Sequence, residues 1–286
     1  MLSIITCSID QTKLSLLKKS LTETTSLLYE LIVIDNSKNK YNISQAYNLG
    51  AAQSKYDFLC FVHEDIIFKN KDWDRNFIHH LSNKKISLIG ILGNIIKTRT
   101  PSGVYSNIQY TNRINQIQKL KDGTTVSYYD NPNEEDISEV AVLDGMLLGT
   151  TKSHWEKISF DEKIDGFHAY DIDFSLAMAQ LGKVGVVYDI LLEHCSFGSQ
   201  TKEWASNQII VTNKWKKFLP IQKGEADTRT LKIREKDDLI QFTIRLLNLR
   251  YKRNVSFKYS ILVILKYPFH RINLFIIKQL LIQSFK

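Results

Sequence analysis

Asn48-Leu49-Gly50-Ala51-Ala52-Gln53-Ser54-Lys55-Tyr56-Asp57 runs directly into Phe58-Leu59-Cys60-Phe61-Val62-His63-Glu64-Asp65. The first part reads as the end of a helix that begins near Ile43, followed by a short polar connection. Phe58 to Val62 is an apolar run of strand length without polar alternation, the pattern of a strand buried on both faces. Three ionisable side chains follow at its carboxyl end. Working outward, Leu2 to Thr6 and Leu31 to Ile34 are runs of the same kind, and Lys13 to Leu21 and Ile43 to Ala52 have helix length between them. This alternation predicts an α/β fold with a mainly parallel central sheet flanked by helices. Such sheets bind ligands beyond the carboxyl ends of their strands, where a nucleotide site is built. Here those ends read Cys7-Ser8, Asp35-Asn36-Ser37 and His63-Glu64-Asp65.

Farther along, Ile86 to Leu92 and Val184 to Tyr188 read as strands, and Val140 to Leu143 resumes the core pattern before Asp144-Gly145-Met146. From Lys97 to Asp136 the chain is polar and punctuated by Pro101, Gly103, Gly123 and Pro132, which predicts loops and a small hairpin near Thr124 to Tyr129. The spacing from Asp171 to Leu181 predicts a helix with acidic residues in its first turn, ended by Gly182. The Gly-x-x-Gly spacings at Gly90 and Gly182 lack a phosphate-loop signature and read as turns or close packing.

With 43% hydrophobic residues in 286, the chain can build its own core. Cys7, Cys60 and Cys195 show no CxxC spacing, which argues against a disulfide framework or structural zinc module and for a reducing, cytoplasmic compartment. The N-terminus MLSIITCSID reads as a strand rather than a secretory leader. A net charge of +8 suggests nucleic acid until the charges are placed: from Leu239 onward there are nine Lys or Arg and no Asp or Glu. The body is therefore nearly neutral, and no nucleic-acid partner is expected. The tail interleaves cations with Ile, Leu and Phe, which suits peripheral contact with an anionic surface such as the inner face of the plasma membrane. The same pattern also suits helices packed on the body or a homo-oligomer contact. Its uncharged runs are shorter than the ~20 residues that cross a bilayer.

Read alone, His63-Glu64-Asp65 is a solvated turn at a strand end. Its residue types also suit a hard divalent cation, which takes carboxylate oxygens, often with an imidazole, and keeps positions open for phosphate oxygens. The neighbouring segments change the balance. The stretch 48–65, the N-terminal strand, Val33-Ile34-Asp35-Asn36-Ser37, the segment Val142 to Thr150, and Phe160-Asp161-Glu162 with Gly166 to Asp173 follow one another in an order that resembles the GT-A glycosyltransferases of family 2. With His-Glu-Asp in place of Asp-x-Asp, the chain looks most like the streptomycin-biosynthesis-type subgroup.

The resemblance implies a GT-A catalytic domain over residues 1–220 and a basic, apolar helical C-terminal extension over residues 221–286. It implies inverting transfer from a nucleoside diphosphate sugar, a UDP-sugar foremost, to a glycan or lipid-linked acceptor. The setting it suggests is surface polysaccharide or related glycan synthesis, with Mn²⁺ or Mg²⁺ as cofactor. Asp35 is then the nucleobase contact, with Ser8, Asn36 and Asn48 on the nucleotide-sugar side and Glu64 toward ribose or sugar. Asp65, His63 and His194 become the metal ligands, and a histidine satisfied by backbone groups is the other reading of His194. Gly145, Met146 and Tyr170 fall on the acceptor side, Tyr170 standing where the family shows an acidic residue. Asp171 takes the place of the general base. Read as a residue, it also suits a helix cap, and Asp173 suits the base role. Trp204 and Trp215 read as core or lid aromatics, or as a platform for a sugar ring. Two rivals remain: a nucleotidyltransferase, which calls for a basic phosphate loop unlike Ser8-Ile9-Asp10, and a degenerate transferase-like scaffold that binds donor without turnover.

Overall fold

The computed structural model describes residues 1–195, 198, 200–224 and 226–284. Strands β1 (Leu2–Ser8), β2 (Tyr29–Asp35) and β3 (Phe58–Val62) lie side by side and parallel, with α1 (Gln11–Thr24) and α2 (Ile43–Gln53) crossing between them. β1 is buried along its whole length. Its period of two sends Ile4 into one core layer with Leu17, Trp73 and Phe77, and Ile5 into the other with Tyr47, Phe61 and Phe174. A side chain at Gly50 would overlap Ile5, so glycine is what lets α2 lie directly on β1. Asp10 caps α1 by accepting from the backbone of Thr12 and Lys13, and Asn42 with Gln45 forms a reciprocal capping box on α2.

The chain continues through β4 (Ile66–Phe68), α3 (Trp73–Leu81) and β5 (Ile86–Gly90). The run expected as one strand from Ile86 to Leu92 divides at Ile91, because β6 (Leu92–Asn94) leaves for a second sheet, followed by β7 (Ile96–Lys97). Then come β8 (Asn112–Lys119), β9 (Thr125–Asp130), β10 (Ile137–Glu139), β11 (Val142–Leu143) and β12 (Leu147–Thr151). After α4 (Lys152–Lys157) and α5 (Tyr170–Met178) follow β13 (Lys183–Val187), β14 (Leu192–His194) and α6 (Lys202–Trp215). The central sheet has the order β10-β13-β5-β12-β3-β1-β2. The α/β reading holds, with a mixed rather than mainly parallel sheet, because β12 runs antiparallel to both β3 and β5 and β10 antiparallel to β13.

A second sheet has the order β11-β6-β8-β14-β4, with β9 beside β8. β8 lies where loops were expected. Its Asn112, Arg113, Asn115 and Gln116 are buried, and the Asn115 amide donates to the carbonyls of Tyr188 and Ile190, so a core strand carries a polar sequence. β15 (Ile221–Gln222) pairs with β7, and α7 (Thr228–Asn248) docks on the body through Thr98 Oγ1, which donates to Asp238 at 2.6 Å. α8 (Arg253–Lys266) and α9 (Ile272–Ser284) pack on α7. Among the described residues, no helix is long and apolar enough to cross a membrane.

Candidate active site

Strand pairing assembles a cluster that the sequence spreads over about half the chain. β3 delivers His63 and Asp65, and the antiparallel pairing of β4 with β14 sets His194 opposite Ile66. The Cys195 amide donates to the Asp65 carbonyl at 2.9 Å, which fixes the approach. One donor atom each from His63, Asp65 and His194 lies within 4.8 Å of the others. Two imidazole nitrogens and a carboxylate oxygen suit a divalent metal ion and leave positions open for oxygen ligands.

Hydrogen bonds behind the cluster aim its nitrogens. Gln118 donates its amide to the carbonyls of Lys119 and His194, so its Oε1 faces His194 Nδ1 at 3.2 Å. His194 Nδ1 must then carry the proton, and Nε2 keeps its lone pair on the side of Asp65, 3.7 Å from Oδ1. Tyr170 donates its hydroxyl to the Gly145 carbonyl at 3.1 Å and lies 2.7 Å from His63 Nε2. With that proton spent, the phenol oxygen accepts from His63, whose Nδ1 is left as the lone-pair nitrogen. Burial lowers the His63 pKa below its ordinary value and so favours the neutral, ligating form.

Expected roles and observed positions differ at several residues. Tyr170 is 4% exposed, so it sits beneath the site and orients His63 rather than meeting an acceptor. Asn48 uses all of its hydrogen-bonding capacity inside the fold. It donates to Phe160 O and Glu162 Oε1 and accepts from Trp155 Nε1 and Phe160 N, so it clamps α2 to the 155–162 segment instead of facing a nucleotide. Glu64 Oε2 accepts from Ser8 Oγ at 2.6 Å and from the amides of Ile9 and Asp10 at 3.0 Å. It therefore locks the end of β1 against the cluster, and Ser8 is consumed in the same contact. Asn36 is buried and staples its own loop through both backbone polar groups of Tyr41. Asp35 is exposed at the strand edge, and the hydrogen bond from the Ser37 amide holds its carboxyl below the usual range.

Asp171 Oδ2 accepts from the Gly145 amide at 3.1 Å, and Oδ1 from Ile172 at 2.9 Å. The N-cap position of α5 belongs to Ala169, whose side chain makes no cap, so capping does not explain Asp171. Burial first, then the neighbouring Asp144 carboxylate, push the Asp171 pKa up to about 7. Asp173 is buried, accepts from Trp215 Nε1 at 2.7 Å and pairs with Lys214 at 2.8 Å, which removes both it and Trp215 from the reacting space. A side chain at Gly145 would overlap the Tyr170 hydroxyl, so the Gly145 turn can close only around hydrogen. Met146 is 3% exposed and touches the site only along one wall. A pocket of about 420 Å³ joins Asp144, Met146, Gln118 and His194. Asp144 and Gln118 were not singled out from sequence. Asp144 was readable as an acidic residue at a strand end, whereas Gln118 gave no signal within a polar stretch.

A family described as "Glycosyltransferase like family" matches residues 3–219. The chain belongs to that family. Solved structures agree on the GT-A fold. GalNAc-T7 with UDP, GalNAc and Mn²⁺ is 12% identical with a TM-score of 0.52, over 75% of this chain and 48% of that one. The mannosyltransferase PcManGT from Pyrobaculum calidifontis, in complex with GDP-Man and Mn²⁺, is 9% identical with a TM-score of 0.53, over 86% of this chain and 71% of that one. The chain thus spans about half the length of the GalNAc-T7 structure. No curated protein matches it.

Proposed function

We propose that the protein is a metal-dependent, inverting glycosyltransferase that moves a sugar from a nucleoside diphosphate donor to a glycan or lipid-linked acceptor. The observation that carries this reading is the convergence of His63, Asp65 and His194 beside the Asp144–Asp171 carboxylates, in a family whose neighbours hold UDP or GDP-Man with Mn²⁺. A divalent ion held by the three donors would neutralise the departing diphosphate. Asp35, exposed at the end of β2, would contact the nucleobase. Asp171 takes the proton from the acceptor hydroxyl as the new C–O bond forms at the anomeric carbon and the bond to diphosphate breaks; a carboxyl with a pKa of about 7 is well matched to that task. The His-Glu-Asp motif in place of Asp-x-Asp supports a place in the streptomycin-biosynthesis-type subgroup. Calorimetry against UDP- and GDP-sugars with and without Mn²⁺ tests the reading. At least one donor is expected to bind more tightly with metal and to be slowly hydrolysed. Binding without any turnover would favour the scaffold reading, and no binding would overturn both.

The acceptor setting follows from the C-terminal helices. Phe269, in the α8–α9 turn, is 100% exposed, with Leu274 at 77% and Leu265 at 73%, beside Lys266 and Arg271. On α9, Leu274, Ile277, Lys278 and Leu281 form one exposed stripe at helical spacing. Cations without acids beside exposed apolar side chains suit the anionic inner face of a plasma membrane, where a lipid-linked surface-polysaccharide acceptor would be met. The protein is expected to sediment with phosphatidylglycerol vesicles, and Phe269→Asp with Leu274→Asp to lower the bound fraction about tenfold. Equal binding of the double variant, or concentration-dependent dimerisation in place of vesicle binding, would assign the surface to a second copy.

A further inference from the structure

A separate cavity of about 200 Å³ lies between the 101–107 loop, the start of α6 and one face of α7. Asp237, Gln241 and Arg245 line it from successive turns of α7, at a spacing that puts them on one helix face. Tyr105, Trp204 and Phe242 supply aromatic walls. Beneath these, hydrogen bonds join α7 to the neighbouring loop. Asp238 accepts from Thr98 Oγ1 at 2.6 Å and from Arg234 Nε at 2.8 Å, while Lys97 Nζ donates to the carbonyl and hydroxyl of Ser102. These bonds tie α7 to the loop behind the cavity, and the rim presents Asp237, Gln241 and Arg245 to the open space. Asp237 and Gln241 are 3.4 Å apart there, an acceptor beside a donor. Tyr105 lines this cavity and also the pocket that holds Asp144 and His194, so the two spaces adjoin across one side chain.

We propose that this cavity is an acceptor subsite that holds the sugar ring next to the one being glycosylated, so that the preferred acceptor carries at least two rings. The inference rests on the transferase reading above and adds to it the size and chemistry of the acceptor. A pyranose presents an apolar C–H face and a girdle of hydroxyls. Aromatic walls suit the face, and a carboxylate, an amide and a guanidinium suit the hydroxyls. The volume falls below the roughly 300 to 1,000 Å³ of drug-sized pockets and suits one ring. It follows that α7, which lies beyond the family's 3–219 span, is a wall of the acceptor site as well as the base of the exposed helices.

Saturation-transfer NMR on the full chain with UDP and diamagnetic Mg²⁺ tests this, using methyl glycosides of glucose, galactose, mannose and N-acetylglucosamine and their β-linked disaccharides as probes. At least one disaccharide is expected to bind about tenfold more tightly than its monosaccharide. Its signal should fall about tenfold in Trp204→Ala and in Gln241→Ala, the latter an exposed position where the fold is not at risk. UDP resonances that saturate while no disaccharide does, or a disaccharide signal that survives both variants, overturn the subsite and leave the transferase reading intact. An absence of UDP saturation as well overturns the transferase reading itself.

Discussion

Asp171→Asn is expected to lower sugar transfer by about a thousandfold and, above pH 7, to make the protein more stable. The two effects share one cause. Burial and the adjacent Asp144 carboxylate raise the Asp171 pKa from its ordinary value of 3.8 to about 7. The folded protein therefore holds a proton that the unfolded chain releases near pH 4. Between about pH 4 and 7 the fold loses stability as pH rises, and above 7 the full cost of an ionised, buried carboxylate persists, on the order of 2 to 4 kcal/mol. Asparagine removes the charge, but its Nδ2 cannot accept one of the two backbone amides that Asp171 holds, a loss of about 1 kcal/mol at every pH. Melting curves should show a higher Tm for the variant at pH 8 and a slightly lower one at pH 4. Wild-type turnover should rise about tenfold per pH unit below 7 and level off above it, as the proton acceptor ionises. A merely structural aspartate would give the opposite pattern, with activity within threefold of wild type, no acid limb near 7 and a lower Tm.

Asp65→Ala is expected to abolish the tightening of UDP binding by Mn²⁺, a loss of about a hundredfold in affinity with metal present. Asp65 is the one carboxylate among the three clustered donors, and without it two neutral imidazoles face a dication with no compensating charge. Lys13 Nζ, 3.8 Å from Asp65 Oδ2, would then stand beside the site as an unbalanced cation and oppose the metal further. Mn²⁺ titration followed by electron paramagnetic resonance, with UDP calorimetry in parallel, reads both effects. An equal gain in UDP affinity from Mn²⁺ in variant and wild type would remove Asp65 from the metal site and with it the proposed way of stabilising the leaving group.

The early strands were legible because β1 and β3 are buried on both faces and so carry largely apolar runs of strand length. β8 was illegible for the converse reason: it buries Asn, Arg and Gln side chains, and the partners of Asn115, the carbonyls of Tyr188 and Ile190, lie 73 and 75 residues along the chain. The metal cluster stood between these cases. His63 and Asp65 announce themselves at a strand end, but the donor nitrogen of each histidine is chosen by Tyr170 and Gln118, 107 and 76 residues away from the histidines they orient. Asn48 misled for the same reason, since its partners at 155–162 become visible only when α2 meets that segment.

The sequence by itself determined the α/β class, the family and the chain of strand ends on which a donor site is built, because each depends on residue types that are contiguous or regularly spaced. Only the tertiary structure decided which of the named residues remain available for chemistry. Hydrogen bonds between distant segments tie Asn48, Ser8 and Asp173 into the fold, whereas strand pairing brings Asp65, His63 and His194 together, and burial of Asp171 beside Asp144 raises the pKa on which the proposed reaction depends.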